Sequence, residues 1–101
     1  MLIVCGEVVV DPTAIEKVKG ALNTMEQETR KEAGCISYAF AVDINDPSMI
    51  RIIERWESMD ALTAHFHSPH MAAFGAAVGD LQPKSMDIKC HDVAGEVALP
   101  S

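Results

Sequence analysis

The segment from Cys35 to Glu57 constrains the fold more than any other part of the sequence. Large side chains alternate with small ones from Cys35 to Ile44, which is the period of a β-strand with two different faces. Asn45-Asp46-Pro47-Ser48 has the composition of a turn, and Met49 to Glu57 alternates again. This pattern predicts two antiparallel strands joined as a hairpin.

The segments on either side of the hairpin predict further strands and a helix. Leu2 to Val10 is rich in Val and Ile, which indicates a first strand buried on both faces. Asp11-Pro12 can cap a helix whose apolar face begins at Ile15, and Gly34 is well placed to end that helix. Lys84 to Val93 alternates and predicts a fourth strand.

The segment between the hairpin and the last strand predicts a helix in two parts. Ser58 can cap the first part, on whose inner side we expect Leu62, His65 and Phe66. Ser68-Pro69 would stop this part and start a short second one.

The resulting order, βαββαβ, predicts an α+β, ferredoxin-like domain with a four-stranded antiparallel sheet and helices on one face. Residues 1–101 then form a single domain with a short tail from residue 94. The opposite face of the sheet carries apolar residues, so we expect a homodimer with sheets face to face.

The composition of the sequence indicates which partners and which cell compartment to expect. The net charge of −7 argues against nucleic acid, because phosphate binding requires a basic patch. The sequence has no apolar run long enough to cross a bilayer, and the first residues lack the pattern of a signal peptide. The three cysteines include no Cys-x-x-Cys pair. We therefore expect a cytoplasmic protein with no membrane or nucleic-acid partner.

The functional residues are expected between Glu54 and Phe74. This segment holds the single Trp, three of the four His and two of the three Phe. Aromatic rings and imidazoles concentrated in so short a segment indicate a small-molecule pocket.

Four motifs carry a family resemblance. They are Glu32-Ala33-Gly34-Cys35-Ile36-Ser37-Tyr38, Glu54-Arg55-Trp56-Glu57-Ser58, Ala61-Leu62-Thr63-Ala64-His65 and Ser68-Pro69-His70-Met71. Together they resemble the antibiotic biosynthesis monooxygenase domain family, in particular its bacterial quinol monooxygenases. The resemblance implies a dimeric α+β barrel with a ligand cavity between sheet and helices in each subunit.

The resemblance also implies a chemistry. Some members oxidise phenols, anthrones or quinols with O2 and use no cofactor, because the deprotonated substrate itself gives an electron to oxygen. In such a reaction the protein supplies shape, desolvation and a proton acceptor.

The family also contains members that degrade haem. They use an Asn, a Trp and a haem-ligating His, whereas this sequence has Glu7, His65 and Gly75 at those positions, so haem degradation is disfavoured.

His65 and His70 are the candidate catalytic residues. His65 matches the helix histidine of the family, and we expect it to point into an apolar hollow walled by aromatic rings. The alternative is a buried histidine bonded to a backbone carbonyl. His70 follows Ser68-Pro69 and could face the mouth of the cavity, or cap and pack instead. His65 and His67 point to opposite sides of a helix, so no metal site is expected from them.

Five residues are expected to bind substrate. The aromatic ones would shape the pocket, although each could equally be core packing. Glu54 is either a base with a raised pKa or the partner of a nearby Arg or Lys, and the ion pair is the favoured interpretation. The five are Trp56, Tyr38, Phe66, Phe74 and Glu54.

The sequence therefore favours a monooxygenase that needs no cofactor and acts on a small aromatic phenol or quinol with O2. An isomerase that enolises a small carbonyl compound is an alternative, since one base in a dry pocket would serve it equally. A third hypothesis is a dimeric domain that binds aromatics without converting them.

Overall fold

The computed structural model describes residues 1–79 and 81–101, and its elements follow the predicted order with the second helix divided in two. The strands are β1 (Leu2–Val9), β2 (Cys35–Val42), β3 (Met49–Trp56) and β4 (Ser85–Asp92). The helices are α1 (Pro12–Thr29), α2 (Met59–Phe66) and α3 (Pro69–Ala77). The predicted ferredoxin-like α+β fold is confirmed.

The four strands form one antiparallel sheet in the order β2-β3-β1-β4. Val4 pairs with Glu54, and Glu54 pairs with Tyr38, so these three side chains form a row across the sheet on one face. All three are buried. Because side chains alternate along a strand, this is the face that the helices cover.

The other face of the sheet is open. Its exposed residues include Cys5 and Glu7 on β1 and Ile53 on β3. The expectation that β1 is buried on both faces is therefore wrong for the single chain, because no helix covers this side. Arg51 on the same face pairs with Glu7 and Asp43. A homodimer that closes this face stays a prediction.

The core consists of two clusters along the helix-covered face. One contains Leu2, Val4, Met25, Tyr38, Trp56 and Leu62. The other contains Val8, Val10, Ile15 and Ile50. Phe40 packs against both clusters and so joins them.

One side chain of α1, Glu26, and that of Arg30, which follows the helix directly, bind the backbone of the edge strand β2. The Glu26 carboxylate accepts a hydrogen bond from the Phe40 amide at 2.8 Å, and the Arg30 Nε donates to the Tyr38 carbonyl at 2.9 Å. Unpaired backbone groups at a sheet edge invite pairing with other chains. These bonds satisfy part of that edge and hold α1 in register with the sheet.

Helix α1 ends earlier than the sequence suggested. Its last residue is Thr29, so Gly34 lies in the following turn rather than at the helix terminus. Gly34 has a φ of +83°, and an added Cβ would come within 2.5 Å of the Ala61 Cβ. Gly20, by contrast, has open space where a Cβ would stand.

None of the helices in the described residues has the length and apolarity that spanning a membrane requires.

Candidate active site

The break between α2 and α3 sets the geometry of the site. The Ser68 side chain accepts a hydrogen bond from the Met71 amide at 3.2 Å and caps α3, with Pro69 as its first residue. The same hydroxyl donates to the His65 carbonyl at 2.7 Å. Because the chain turns here, histidines from two helices, His65 and His70, reach one carboxylate.

That carboxylate belongs to Glu32, in the turn after α1. The Glu32 Oε2 lies 2.6 Å from the His65 Nδ1 and 2.8 Å from the His70 Nε2. A carboxylate can only accept, so each neutral imidazole donates the proton on that nitrogen. The remaining lone pairs are then on the His65 Nε2 and the His70 Nδ1.

The surroundings of His65 are packed. Its side chain is 2% exposed, and its ring centre lies 5.0 Å from the Trp56 ring and 5.5 Å from the Tyr38 ring. Trp56 is fully buried. The prediction of an open hollow around His65 is therefore wrong. The aromatic rings that were expected to line a hollow pack against His65 and fill the space.

Glu54 is buried beside these rings and pairs with Trp56. The Trp56 Nε1 donates to a Glu54 oxygen at 2.9 Å. Burial is the largest influence on the pKa of Glu54 and raises it, and the nearby Glu32 charge acts in the same direction. The Trp56 hydrogen bond and His65 lower the pKa, but the net direction is upward. The favoured ion pair with Arg or Lys is absent among the described residues, and the alternative of a raised pKa agrees with the structure.

Tyr38 completes the packed cluster. Burial raises the pKa of its phenol well above the ordinary value, and the Glu54 carboxylate adds to the effect. The hydroxyl therefore keeps its proton and can serve as a hydrogen-bond donor.

Two clefts farther along the helix layer are lined by predicted site residues. The α1–α3 cleft has a volume of about 210 Å³ and is lined by Gly20, Ala21, Thr24, Met25, His70, Ala73, Phe74 and Ala77. Among these residues His70 alone is ionisable. The β4 cleft has a volume of about 310 Å³ and an almost wholly apolar lining from all four strands, α1 and the α3 region, including Phe74, Val78, Met86 and Ile88.

Phe74 lines both clefts, and its ring stacks on Phe40 at 5.9 Å. Of the seven predicted site residues, His70 and Phe74 thus face open space, whereas His65, Trp56, Tyr38 and Glu54 lie in the packed core. Their roles in catalysis and binding stay predictions.

Phe66 does not occupy the inner side of α2. It is 59% exposed, although its ring centre lies 5.8 Å from that of His65. The inner side is centred on Ala61, Leu62 and His65, and the 100° step per residue places Phe66 at its rim.

Comparison with known proteins identifies the family. The model of the family described as antibiotic biosynthesis monooxygenase matches residues 1–77. The chain belongs to the antibiotic biosynthesis monooxygenase family. The matched region contains β1 to α3, and therefore Glu32 and both histidines of the site.

Two relatives by sequence differ in what their names say of an activity. The chain is 43% identical over 60 residues to "Probable quinol monooxygenase YgiN" of Escherichia coli, an alignment covering 50% of this chain and 58% of the relative. It is 31% identical over 93 residues to "Uncharacterized protein sll1783" of Synechocystis, covering 92% of this chain and 63% of the relative. The matches thus span about six-tenths of the length of these relatives.

Solved structures agree with the fold. Rv0793 from Mycobacterium tuberculosis matches with a TM-score of 0.83 and 27% identity, over 96% of this chain and 98% of that one. A Deinococcus radiodurans structure matches with a TM-score of 0.88 over the full length of both chains at 22% identity. At such identity the second match supports the fold alone.

Sequence reasoning assigned no role to Glu32, although it opens the first motif of the family resemblance. A helix predicted to continue to Gly34 would leave Glu32 on its surface. In the structure α1 ends at Thr29, and the turn that follows brings Glu32 between the two histidines. The signal that could have found it was its place in that motif.

Proposed function

We propose that this family member is a monooxygenase that oxidises a small aromatic phenol or quinol with O2, and that the substrate binds in the α1–α3 cleft beside His70. One observation carries the proposal. His70 is held by the Glu32 carboxylate and is the sole ionisable residue among the described lining of an otherwise largely apolar cleft. A base at the edge of an apolar site suits the deprotonation of a weakly acidic aromatic hydroxyl.

The size and lining of the cleft support a substrate of one or two rings. Pockets for drug-sized ligands typically occupy about 300 to 1,000 Å³. The volume of about 210 Å³ suits a smaller molecule. Phe74 and Met25 offer apolar contacts to a ring, and a hydroxyl of the substrate would face His70.

In the proposed reaction His70 is the base, and Glu32 and His65 hold it in place. The His70 Nδ1 accepts the proton of the substrate hydroxyl, and the Glu32 carboxylate stabilises the imidazolium that forms. His65 does not reach the cleft in this scheme. It is a positioning residue that holds Glu32 from the other side at 2.6 Å.

The oxidation that follows needs no oxidant other than O2. The substrate anion transfers one electron to O2, and the resulting superoxide and substrate radical combine to a peroxide anion at carbon. The His70 imidazolium returns its proton to this anion, which gives the hydroperoxide. For a phenol whose keto tautomer carries a CH2 group, loss of water from the hydroperoxide turns CH2 into C=O. One oxygen atom enters the product and the other leaves as water.

The name of the E. coli relative, a quinol monooxygenase, agrees with this substrate class. The proposal extends that class to this chain on the basis of the family and the cleft.

Oxygen consumption by chelator-treated protein with a panel of one-ring quinols and two-ring naphthoquinols tests the proposal. We expect turnover above the uncatalysed autoxidation, and a loss of about 100-fold or more in kcat for His70→Asn. His67→Asn is the matched control, because His67 is exposed and bonded to the Thr63 carbonyl, and it should keep full activity.

Two results would overturn the proposal. One is a panel in which no compound consumes oxygen faster with the protein than without it. The other is equal activity of His70→Asn and His67→Asn. Product formed under anaerobic conditions would instead favour the isomerase, and binding without product would favour the domain that only binds aromatics.

A further inference from the structure

We infer that Glu32, His65 and His70 form a binding site for one divalent transition-metal ion such as Zn²⁺ or Fe²⁺. The inference goes beyond the proposed function, which requires no metal. Its basis is the convergence of three side chains of the right chemistry from three separate parts of the chain.

The donor atoms are two imidazole nitrogens and one carboxylate oxygen. Two histidines and one carboxylate bind zinc in many catalytic sites and non-haem iron in oxygenases. The His65 Nδ1, the His70 Nε2 and a Glu32 oxygen all lie within 4.8 Å of one another. The three ligands do not form a sequence motif, because Glu32 is distant in sequence and a helix break separates the histidines.

The distances between the atoms are close to those of an occupied site. Metal bonds of about 2.0 to 2.2 Å in tetrahedral geometry place neighbouring ligand atoms about 3.3 Å apart. The carboxylate oxygen is 2.6 Å from one nitrogen and 2.8 Å from the other. An ion therefore requires the carboxylate oxygen to move away from the two nitrogens by about 0.5 to 0.7 Å, within reach of side-chain rotation.

The two histidines can bind an ion without gaining or losing a proton. Each neutral imidazole can move its proton to the ring nitrogen that faces away from Glu32, and the freed lone pair then points at the ion. Among the described residues, no Lys or Arg lies within ion-pair distance of Glu32. A cation would compensate its charge directly.

The surrounding fold holds the ligands in place. Trp56 and Tyr38 pack against the His65 ring, and Ser68 ties the end of α2 to the start of α3. The side chains are mostly shielded, with exposed fractions of 16% for Glu32 and 18% for His70. Such support around the ligands is what metal sites need for affinity.

An ion at the site would keep a coordination position for a further ligand, because three protein ligands leave at least one position open on zinc or iron. Of the three ligands, His70 alone belongs to the lining of the α1–α3 cleft.

Binding of the ion and the proposed base role exclude each other on His70. An ion on the Nε2 forces the proton to the Nδ1, which is the atom that accepts a proton in the proposed function. Binding is measured without substrate, so the failure of one proposal is distinguishable from the failure of the other.

Titration of untagged, chelator-treated protein with Co²⁺, followed by competition with Zn²⁺, tests the site. We expect one equivalent of Co²⁺ to bind with visible ligand-field absorption, and Zn²⁺ to displace it and to raise the melting temperature. Glu32→Gln and His70→Asn should each weaken binding at least tenfold, with circular dichroism confirming that both variants are folded.

The chain provides its own control in the other two histidines, which are exposed and outside the cluster. The double variant His67→Asn/His91→Asn should bind Co²⁺ as the unaltered protein does. The inference fails if the unaltered protein gives no ligand-field band with millimolar Co²⁺. It fails equally if the double variant loses binding while Glu32→Gln and His70→Asn retain it.

Discussion

The two halves of the helix layer differ in packing. Helix α2 buries Leu62 and His65 against Trp56, and together with Tyr38 they form a filled aromatic core. Helix α3 buries no residue, and every residue of β4 is exposed. Both clefts considered for ligands lie on the α3 side, one against α1 and the other against β4.

This difference shows where binding space comes from in a small domain. Large aromatic side chains concentrate where the chain fills its core, because they bury the most area. Space remains where small residues face each other, as Gly20 and Ala21 on α1 face Ala73 and Ala77 on α3. In this protein the concentration of aromatic rings therefore indicates the core. The candidate site is indicated instead by His70, the ionisable residue in the described lining of the α1–α3 cleft.

The largest effect expected is on stability at Trp56. Trp56→Ala should lower the free energy of unfolding by about 3 to 5 kcal/mol, because it empties a fully buried site. Phe74→Ala should cost less than half as much, since this ring is only partly buried and already borders two clefts. Urea unfolding of both variants measures the difference. Equal losses would contradict the contrast between the two halves.

Two glycine substitutions sharpen the same contrast. Gly34→Ala should destabilise by about 2 to 4 kcal/mol, because alanine disfavours the positive φ and its Cβ would meet Ala61 on the packed side. Gly20→Ala should stabilise by up to about 1 kcal/mol, since the position is helical and open. Thermal unfolding compares them, and a Gly34→Ala variant as stable as Gly20→Ala would refute the tight approach of the turn to α2.

The smallest of these effects is a pH dependence at Glu54. Burial raises its pKa, so the folded state holds its proton more tightly than the unfolded state does. The stability from this group is fully present below the unfolded value of about 4.5 and is lost as pH rises through the raised folded pKa. Glu54→Gln should lack this loss while its amide oxygen still accepts the Trp56 hydrogen bond.

Urea unfolding of the unaltered protein and Glu54→Gln between acidic and neutral pH measures this term, because other groups cancel in the difference. The variant should gain relative stability as pH rises. Glu54→Leu, which leaves the buried indole N–H without a partner, should be less stable than Glu54→Gln by about 1 to 3 kcal/mol at all pH values. Parallel curves for the unaltered protein and Glu54→Gln would mean that Glu54 is not desolvated.

Much of the fold could be predicted because its signals are local. Asp11-Pro12, Ser58 and Ser68-Pro69 start their helices as predicted, since a cap needs only its own side chain and the next turn of backbone. The alternation along β2 and β3 likewise fixes which side chains share a face.

The arrangement of the site could not be predicted in the same way because it depends on tertiary contacts. The contact of Glu32 with two histidines follows from where α1 ends and how α3 docks, neither of which is a local property. Whether His65 faces a hollow or a packed wall is decided by the volumes of Trp56 and Tyr38 in three dimensions. The same holds for Phe66, which was expected on the inner side of α2 but is exposed. A rotation of one residue along the helix is enough to turn a side chain from the core to the solvent.

The central claim is that a ligand binds in the α1–α3 cleft beside His70 and leaves the aromatic core intact. A crystal structure of the protein with a bicyclic quinol, or with its unreactive methyl ether, tests this most directly. The account predicts a ring between Met25 and Phe74 with an oxygen near His70, and an unmoved Trp56. A ring that displaces Trp56 or Tyr38 to reach His65, with the cleft left empty, would contradict it.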